Sequence, residues 1–297
     1  MTPHLPRAHF FLALAVMAVW GTNFVVIKLA VEVMPPLLLA TLRFICVVLP
    51  AIFFIKRPQV PWRNLAAYGV LIGAGQFGLM FSAIVHDVTP GLASLLMQSQ
   101  VFFTIAFSMW LTRERVQGYQ VVALMIATMG IAIIVNFAGG SATPLGLLLV
   151  LGAAISWAAG NMVGRGAGQV DMLAYVIWSS LFAIPPLAIM ALAIEGWPAI
   201  VQGVSRATTS VWLTIVWQAV GNAMFGYGVW GWLLARYPAA TVAPMALMIP
   251  VFGMGASALY LGEALPLWKL GAAALVMAGL ALNLFWPRLR ARSALPV

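Results

Sequence analysis

The sequence predicts an all-α polytopic membrane protein with ten transmembrane helices arranged as two inverted five-helix repeats. Three observations predict it. Of 297 residues, 64% are hydrophobic and only 7% charged, against roughly 25% charged in soluble domains. Apolar runs of about 20 residues, enough to cross a bilayer's hydrocarbon core, recur between Pro, Gly and charged punctuation along the whole chain. The opening motif also returns. "AVWGTNFVVIKLA" at 18–30 is echoed by "AISWAAGNMVGRGA" at 154–167, Trp157 following Trp20 and Arg165 following Lys28 by the same 137 residues.

Taken in order, helices are expected at 10–31, 36–55, 65–85, 91–111, 117–137, 145–165, 172–194, 211–234, 239–261 and 268–286. The first apolar run exceeds the core of a cleavable signal and lacks a small-x-small cleavage site, so it reads as a retained span. The longest connection, about 195–210, is too short for a soluble catalytic domain. With the N-terminus cytoplasmic, the inner side receives eleven of the fifteen basic residues: Arg7, Lys56, Arg57, Arg63, Arg113, Arg115, Arg165, Arg236, Arg288, Arg290 and Arg292. The outer side receives only Arg206 and Lys269, so the positive-inside rule predicts both termini inside. The net charge of +9 is therefore topological and does not imply a nucleic-acid partner. Cys46, the single cysteine, reads as a small core residue.

The repeat extends beyond its first helix. "LTRERVQGYQVVALMIATMGIAII" from Leu111 aligns with "YLGEALPLWKLGAAALVMAGLALN" from Tyr260, matching Glu114 to Glu263 and Gly130 to Gly279. Boundaries of 1–139 and 140–297 give each repeat five helices, an odd number, so the second enters the membrane from the opposite side. Inverted repeats of this kind are built into secondary transporters, whose ligand site lies near the midplane between them.

"AVWGTNF" in helix 1, "TLRF" at 41–44, "GLASLLMQSQVFFT" at 91–104 and the helix ends "LTRE" and "YLGE" resemble the drug/metabolite transporter superfamily, within it the ten-helix EamA-type exporters. The helix 4 phrase is similar to the branch exporting O-acetylserine and cysteine, and the overall pattern to aromatic amino acid exporters. The resemblance implies a bacterial inner-membrane exporter of small amino-acid-like metabolites. "HDVTPG" at 86–91 departs from it, being longer and more charged than the expected turn.

Polar side chains deep in hydrocarbon face a bundle interior or a water-filled cavity. Those at depth here are Asn23, Gln76, Ser94, Gln98, Asn161, Gln218 and Asn222. Ser94/Gln98 and Gln218/Asn222 are spaced i,i+4 and share helix faces. Either they are interhelical glue or they line a substrate cavity, and as a set they favour the cavity. Trp20, Trp157 and Trp178 lie deeper than the six tryptophans near helix ends, which an aromatic belt explains. Indoles at that depth pack as core or wall a cavity. Lys28 and Arg43 are candidates for a substrate carboxylate, or else snorkel and bond helix-end carbonyls. Glycines in "GVLIGAGQFG" and "GNAMFGYGVWG", including Gly73, Gly78, Gly221 and Gly226, mark equivalent hinges in helices 3 and 8, and Pro244 and Pro250 interrupt helix 9.

No P-loop, HExxH, CxxC or nucleophile elbow occurs, so the sequence predicts no catalytic residues, no metal and no cofactor, with membrane lipids and a small-molecule substrate as partners. All six acidic residues map to loops or helix ends. Proton-coupled antiport usually needs an intramembrane carboxylate or His, so the expectation is a facilitator working by alternating access. The alternative is a non-transporting membrane protein such as a receptor or lipid scramblase. A scramblase would carry a polar groove along a whole span, whereas these polar residues cluster near the midplane.

Overall fold

A computed structural model describes residues 6–112, 117–237 and 239–293. Glu114 lies outside them. The regular structure there is helical, with one isolated antiparallel bridge between Val88 and Ala142. Nine of the described helices are long and apolar enough to cross a membrane: α1 (Arg7–Val31), α2 (Pro36–Phe53), α3 (Trp62–Val85), α4 (Pro90–Leu111), α5 (Gly118–Phe137), α6 (Pro144–Arg165), α7 (Met172–Glu195), α9 (Ala243–Leu261) and α10 (Leu267–Trp286). Between α7 and α9 runs α8, continuously helical over Thr209–Trp217, Gln218–Phe225 and Gly226–Arg236. Gln218, Asn222 and its glycines lower its hydropathy below that of its neighbours.

Helix starts follow local chemistry. Pro36, Pro90 and Pro144 occupy first turns, where an N–H would have no intrahelical acceptor. Asp171 Oδ1 accepts from the backbone N–H groups of Leu173 (2.9 Å) and Ala174 (3.2 Å), capping α7. Gly262 ends α9 in the left-handed region at φ 65°, which glycine adopts without a Cβ clash. The connection read from sequence as a loop contains a further helix, Trp197–Arg206. Trp197, Val201 and Val204 are exposed on it while Gly203 packs against Pro35, as in a helix lying along a membrane interface.

Packing pairs the elements reciprocally. α1 lies against α9 and α6 against α4; α1 meets α8 and α6 meets α3; α2 pairs with α7 and α5 with α10. Exchanging each helix with the one five later maps this set onto itself. In the α5–α10 pair the exchange holds residue by residue. A Cβ on Gly130 would strike the Ala272 carbonyl and Val276, and a Cβ on Gly279 would strike the Ala123 carbonyl and Ala127. All these positions are related by an offset of 149 residues. Only glycine permits this backbone approach, the use membranes make of small residues.

Helix defects recur at matching positions too. α3 is π-helical over Val70–Gly78 and α8 over Gln218–Phe225. α4 tightens to 3-10 geometry over Met97–Ser99 and α9 over Ala243–Leu247. The expected hinges Gly73, Gly78 and Gly221 fall inside the π stretches, Gly226 directly follows one, and Pro244 sits in the 3-10 segment. Pro250 lies within regular helix of α9.

Candidate substrate cavity

A central cavity of about 50 Å³ lies where α1, α3, α4, α6, α8 and α9 converge. Its polar lining comprises Asn23, Gln76, Ser94, Gln98 and Asn222, with the indoles of Trp20 and Trp157. A larger cavity, about 320 Å³, shares Trp20, Gln98, Trp157, Tyr227 and Ile249 with it. This second space runs past Asn161 to Met172, at the start of α7, and Leu284, near the end of α10. It therefore leads from the centre toward the end of the bundle where α1 begins.

Several of the lining groups are held by definable contacts. Trp20 Nε1 donates to the Asn222 carbonyl (3.1 Å); its ring packs near Tyr227 and Trp230, centroids 5.3 and 5.7 Å away, and over Gly226. Gln98 Nε2 donates to the Ala246 carbonyl (3.2 Å). The Ser94 hydroxyl donates back to Gly91 O (2.7 Å) within its own helix. Asn161 Nδ2 donates to Gln100 Oε1 (3.0 Å) and Thr104 (3.3 Å) on α4. Asn23 Oδ1 and Gln76 Oε1 are buried without a partner, although buried polar groups are ordinarily bonded.

Two candidates lie elsewhere. Trp178 donates Nε1 to the Ile55 carbonyl (3.0 Å) and packs edge-on to Trp62. It is only six residues into α7, which sets it beside the α2–α3 connection rather than at the midplane. Gln218 is fully buried outside both cavities, with neither amide atom bonded. The lining also includes Phe77, Met80, Met97 and Tyr227, which the sequence reading passed over. Tyr227 follows Asn222 by five residues, and a π-helical turn brings i and i+5 together, a spacing that an α-helical count misses.

The cationic candidates are separated. Lys28 Nζ donates to the Val85 carbonyl (2.9 Å) and lines a distinct polar cavity of about 360 Å³ at the far end, with Asp87 and Glu263. Arg43 is 1% exposed and donates to Asn222 Oδ1 (3.1 Å). Its guanidinium carbon lies 3.6 Å from the Phe77 ring centroid and 4.9 Å from that of Phe44, cation–π geometry. It thus bonds neither a helix-end carbonyl nor the cavity directly.

The far end is closed by polar contacts. Glu263 accepts from Lys269 (2.8 Å), Thr89 (2.5 Å), the Gly91 N–H (3.0 Å) and the Ser257 hydroxyl. From just beyond the end of α9, Glu263 thus caps the start of α4. Burial alone pushes its carboxyl up, yet these donors together hold it below the ordinary carboxylate value. Asp87 in the charged α3–α4 turn accepts from the Thr143 hydroxyl at Oδ1 (2.7 Å), and its backbone carbonyl accepts from the Thr143 N–H (2.8 Å). Glu195 accepts from Leu37 N (2.6 Å) and Leu38 N (3.1 Å), tying α7 to the start of α2.

A multi-pass helical bundle with polar side chains gathered at a central cavity, a larger space adjoining it toward one end and polar contacts at the other, is the architecture of a membrane transporter. The EamA-like transporter family matches residues 8–136 and again 144–285, and the chain belongs to that family; it is a transporter and not an enzyme. It is 41% identical over 292 residues to a "probable amino-acid metabolite efflux pump" of Salmonella typhimurium, covering 96% of this chain and 98% of that one. A protein of the same description from Escherichia coli K12 is 39% identical with the same coverage. The inner membrane transporter YedA of Escherichia coli is 31% identical over 174 residues, 54% of this chain and 56% of its own. A crystal structure 19% identical in sequence superposes with a TM-score of 0.62 over 95% of this chain and 98% of its own, a likeness of fold.

Proposed function

We propose that this protein exports small amino-acid-like metabolites across the bacterial inner membrane by alternating access, as a facilitator working down the substrate's own gradient. Ten spans form two inverted repeats, 1–139 and 140–297, with both termini cytoplasmic. The observation that carries the reading is the route from Met172 and Leu284 to the central cavity, combined with the Glu263 closure beyond it. A cavity reached from the cytoplasmic end and sealed at the other is the loading state of an exporter. The reciprocal Gly130 and Gly279 contacts, the paired helix defects and the eleven-to-two charge asymmetry support the inverted arrangement. The efflux-pump relatives support the substrate class.

The substrate site comprises Trp20, Asn23, Gln76, Ser94, Gln98, Trp157 and Asn222, with Asn161 along the entry path. Facilitation is supported by the placement of the described acidic residues: Glu32, Asp87, Asp171, Glu195 and Glu263 all stand at helix ends or in connections. The test is counterflow of radiolabelled amino acids in proteoliposomes, without a pH or voltage gradient. Saturable exchange lost in Trp157→Ala and Gln98→Ala is expected. Absence of exchange for every amino acid and O-acetylserine, or uphill accumulation driven by an imposed pH gradient, would overturn the reading.

A further inference from the structure

We infer that Arg43 and Asn222 form a relayed anion site, in which Arg43 orients the Asn222 amide and supplies the positive charge behind it, so that the central cavity selects a substrate carboxylate. The inference rests on the substrate site proposed above and names the chemistry that site takes.

A guanidinium has donors and no acceptor. Its contact with Asn222 must therefore be to the amide oxygen, which fixes the amide's direction by chemistry: Oδ1 faces Arg43, and the Nδ2 donors are left for the central cavity that Asn222 lines. The backbone of the same residue is held by the Trp20 indole. Asn222 is thus clamped at both ends, as a recognition group should be.

Arg43 itself is the unbalanced element. It is almost completely buried, its Nε and Nη1 have no partner, and among the described residues it forms no ion pair. A charge inside a membrane protein without a counter-ion is expensive and is usually matched to a substrate or relay. The void beside it, about 10 Å³, is bordered by Tyr68, Ser179, Ser180 and Tyr227 and has room for about one water. A carboxylate does not fit there. Phe77 and Tyr227 border both this void and the central cavity, separating guanidinium from substrate. The charge therefore acts through Asn222, polarising its N–H donors. Asn23 and Gln76 line the same cavity, each with a buried amide oxygen lacking a donor. An ammonium has only donors to offer. The Asn222 donors match the carboxylate end of an α-amino acid, and the amides of Asn23 and Gln76 on the same cavity can each turn an oxygen to its ammonium.

The test compares each L-amino acid with its carboxamide, which keeps the ammonium and side chain but removes the negative charge. The readout is the ratio of their half-inhibition concentrations in counterflow. The wild type is expected to prefer the acid by about tenfold or more, the scale of a hydrogen bond to a charged group. Arg43→Gln should bring the ratio to within about threefold, because the donor remains but the charge behind it is gone. Asn222→Asp should invert the ratio in favour of the carboxamide, since it satisfies Arg43 and turns a second, anionic oxygen toward the substrate. That variant keeps the buried arginine partnered and supplies the ratio even where Arg43→Gln fails to fold. A ratio unchanged in Asn222→Asp, with carboxamide transport intact, overturns this inference and leaves the proposed transport standing. Absence of counterflow by the wild type overturns both.

Discussion

Replacing Glu263 by Gln should open the far end of the transporter. The carboxylate is 6% exposed and its partner Lys269 only 1%, so the substitution leaves an ammonium buried without a counter-charge. Breaking a buried pair from one side costs about 3–5 kcal/mol, and the bonds to Thr89 and the Gly91 N–H weaken with it. The penalty falls on the closed form, since parting α4 from α9 and α10 returns Lys269 to water. At 1.4 kcal/mol per tenfold, the closed form loses a factor of about a hundred or more. The assay places a cysteine at Met97, in the central cavity, with Cys46, the one free thiol, changed to Ala. Reaction with an impermeant maleimide from the far side of spheroplasts should accelerate at least about tenfold in Glu263→Gln. The double variant Glu263→Gln/Lys269→Met, which buries no charge, should recover part of the closure. An unchanged labelling rate with an unchanged melting temperature would refute the reasoning.

The same carboxylate fixes a pH dependence. Its value in the closed form is lowered, so its stabilisation is fully present above the ordinary glutamate value, about 4.3, and is lost as pH falls through the lowered one; the difference in melting temperature between the wild type and Glu263→Gln should be flat from pH 6 to 8 and shrink only below about 4. Gly130→Leu should drive a side chain into the Ala272 carbonyl and Val276 and lower stability by about 1–3 kcal/mol or more, whereas Gly118→Ala, which meets nothing within 4 Å, should be neutral; equal melting temperatures for the two would contradict the packing. Cysteines at Leu5 and Ser293 should resist an impermeant maleimide in intact cells and react in lysed ones. Labelling in intact cells would reverse the assigned orientation.

Much of the fold was legible because hydrocarbon admits few solutions: a backbone there must satisfy itself, so apolar length alone locates helices. The midplane residues were legible for the same reason. Asn23, Gln76, Gln98 and Asn222 are too polar to face lipid, and the structure gathers all four around one cavity. Depth counted along a helix was less reliable. Trp178 failed because a tryptophan six residues from a helix start still belongs to its end. Gln218 shares the i,i+4 face of Asn222, yet it is fully buried outside both cavities with neither amide atom bonded. The partners of the charges were invisible, since Glu263 to Gly91, Glu195 to Leu37 and Arg43 to Asn222 join positions at least 158 residues apart. No local pattern encodes such a pairing.

The two buried charge devices differ in a way that bears on energetics. Glu263 and Lys269 are neutral as a pair, so parting and rejoining them moves no net charge between states. Arg43 keeps its charge at every physiological pH, and on the proposed reading it meets a zwitterion whose ammonium and carboxylate cancel. Loaded and empty carriers then bear the same net charge. A membrane potential acts at about 2.3 kcal/mol per elementary charge per 100 mV, a force that would trap an anion or a cation moving alone. A neutral cargo on a site of constant charge escapes it. On the proposed reading, the residues that select an amino acid's two ends also leave the transport equilibrium indifferent to voltage.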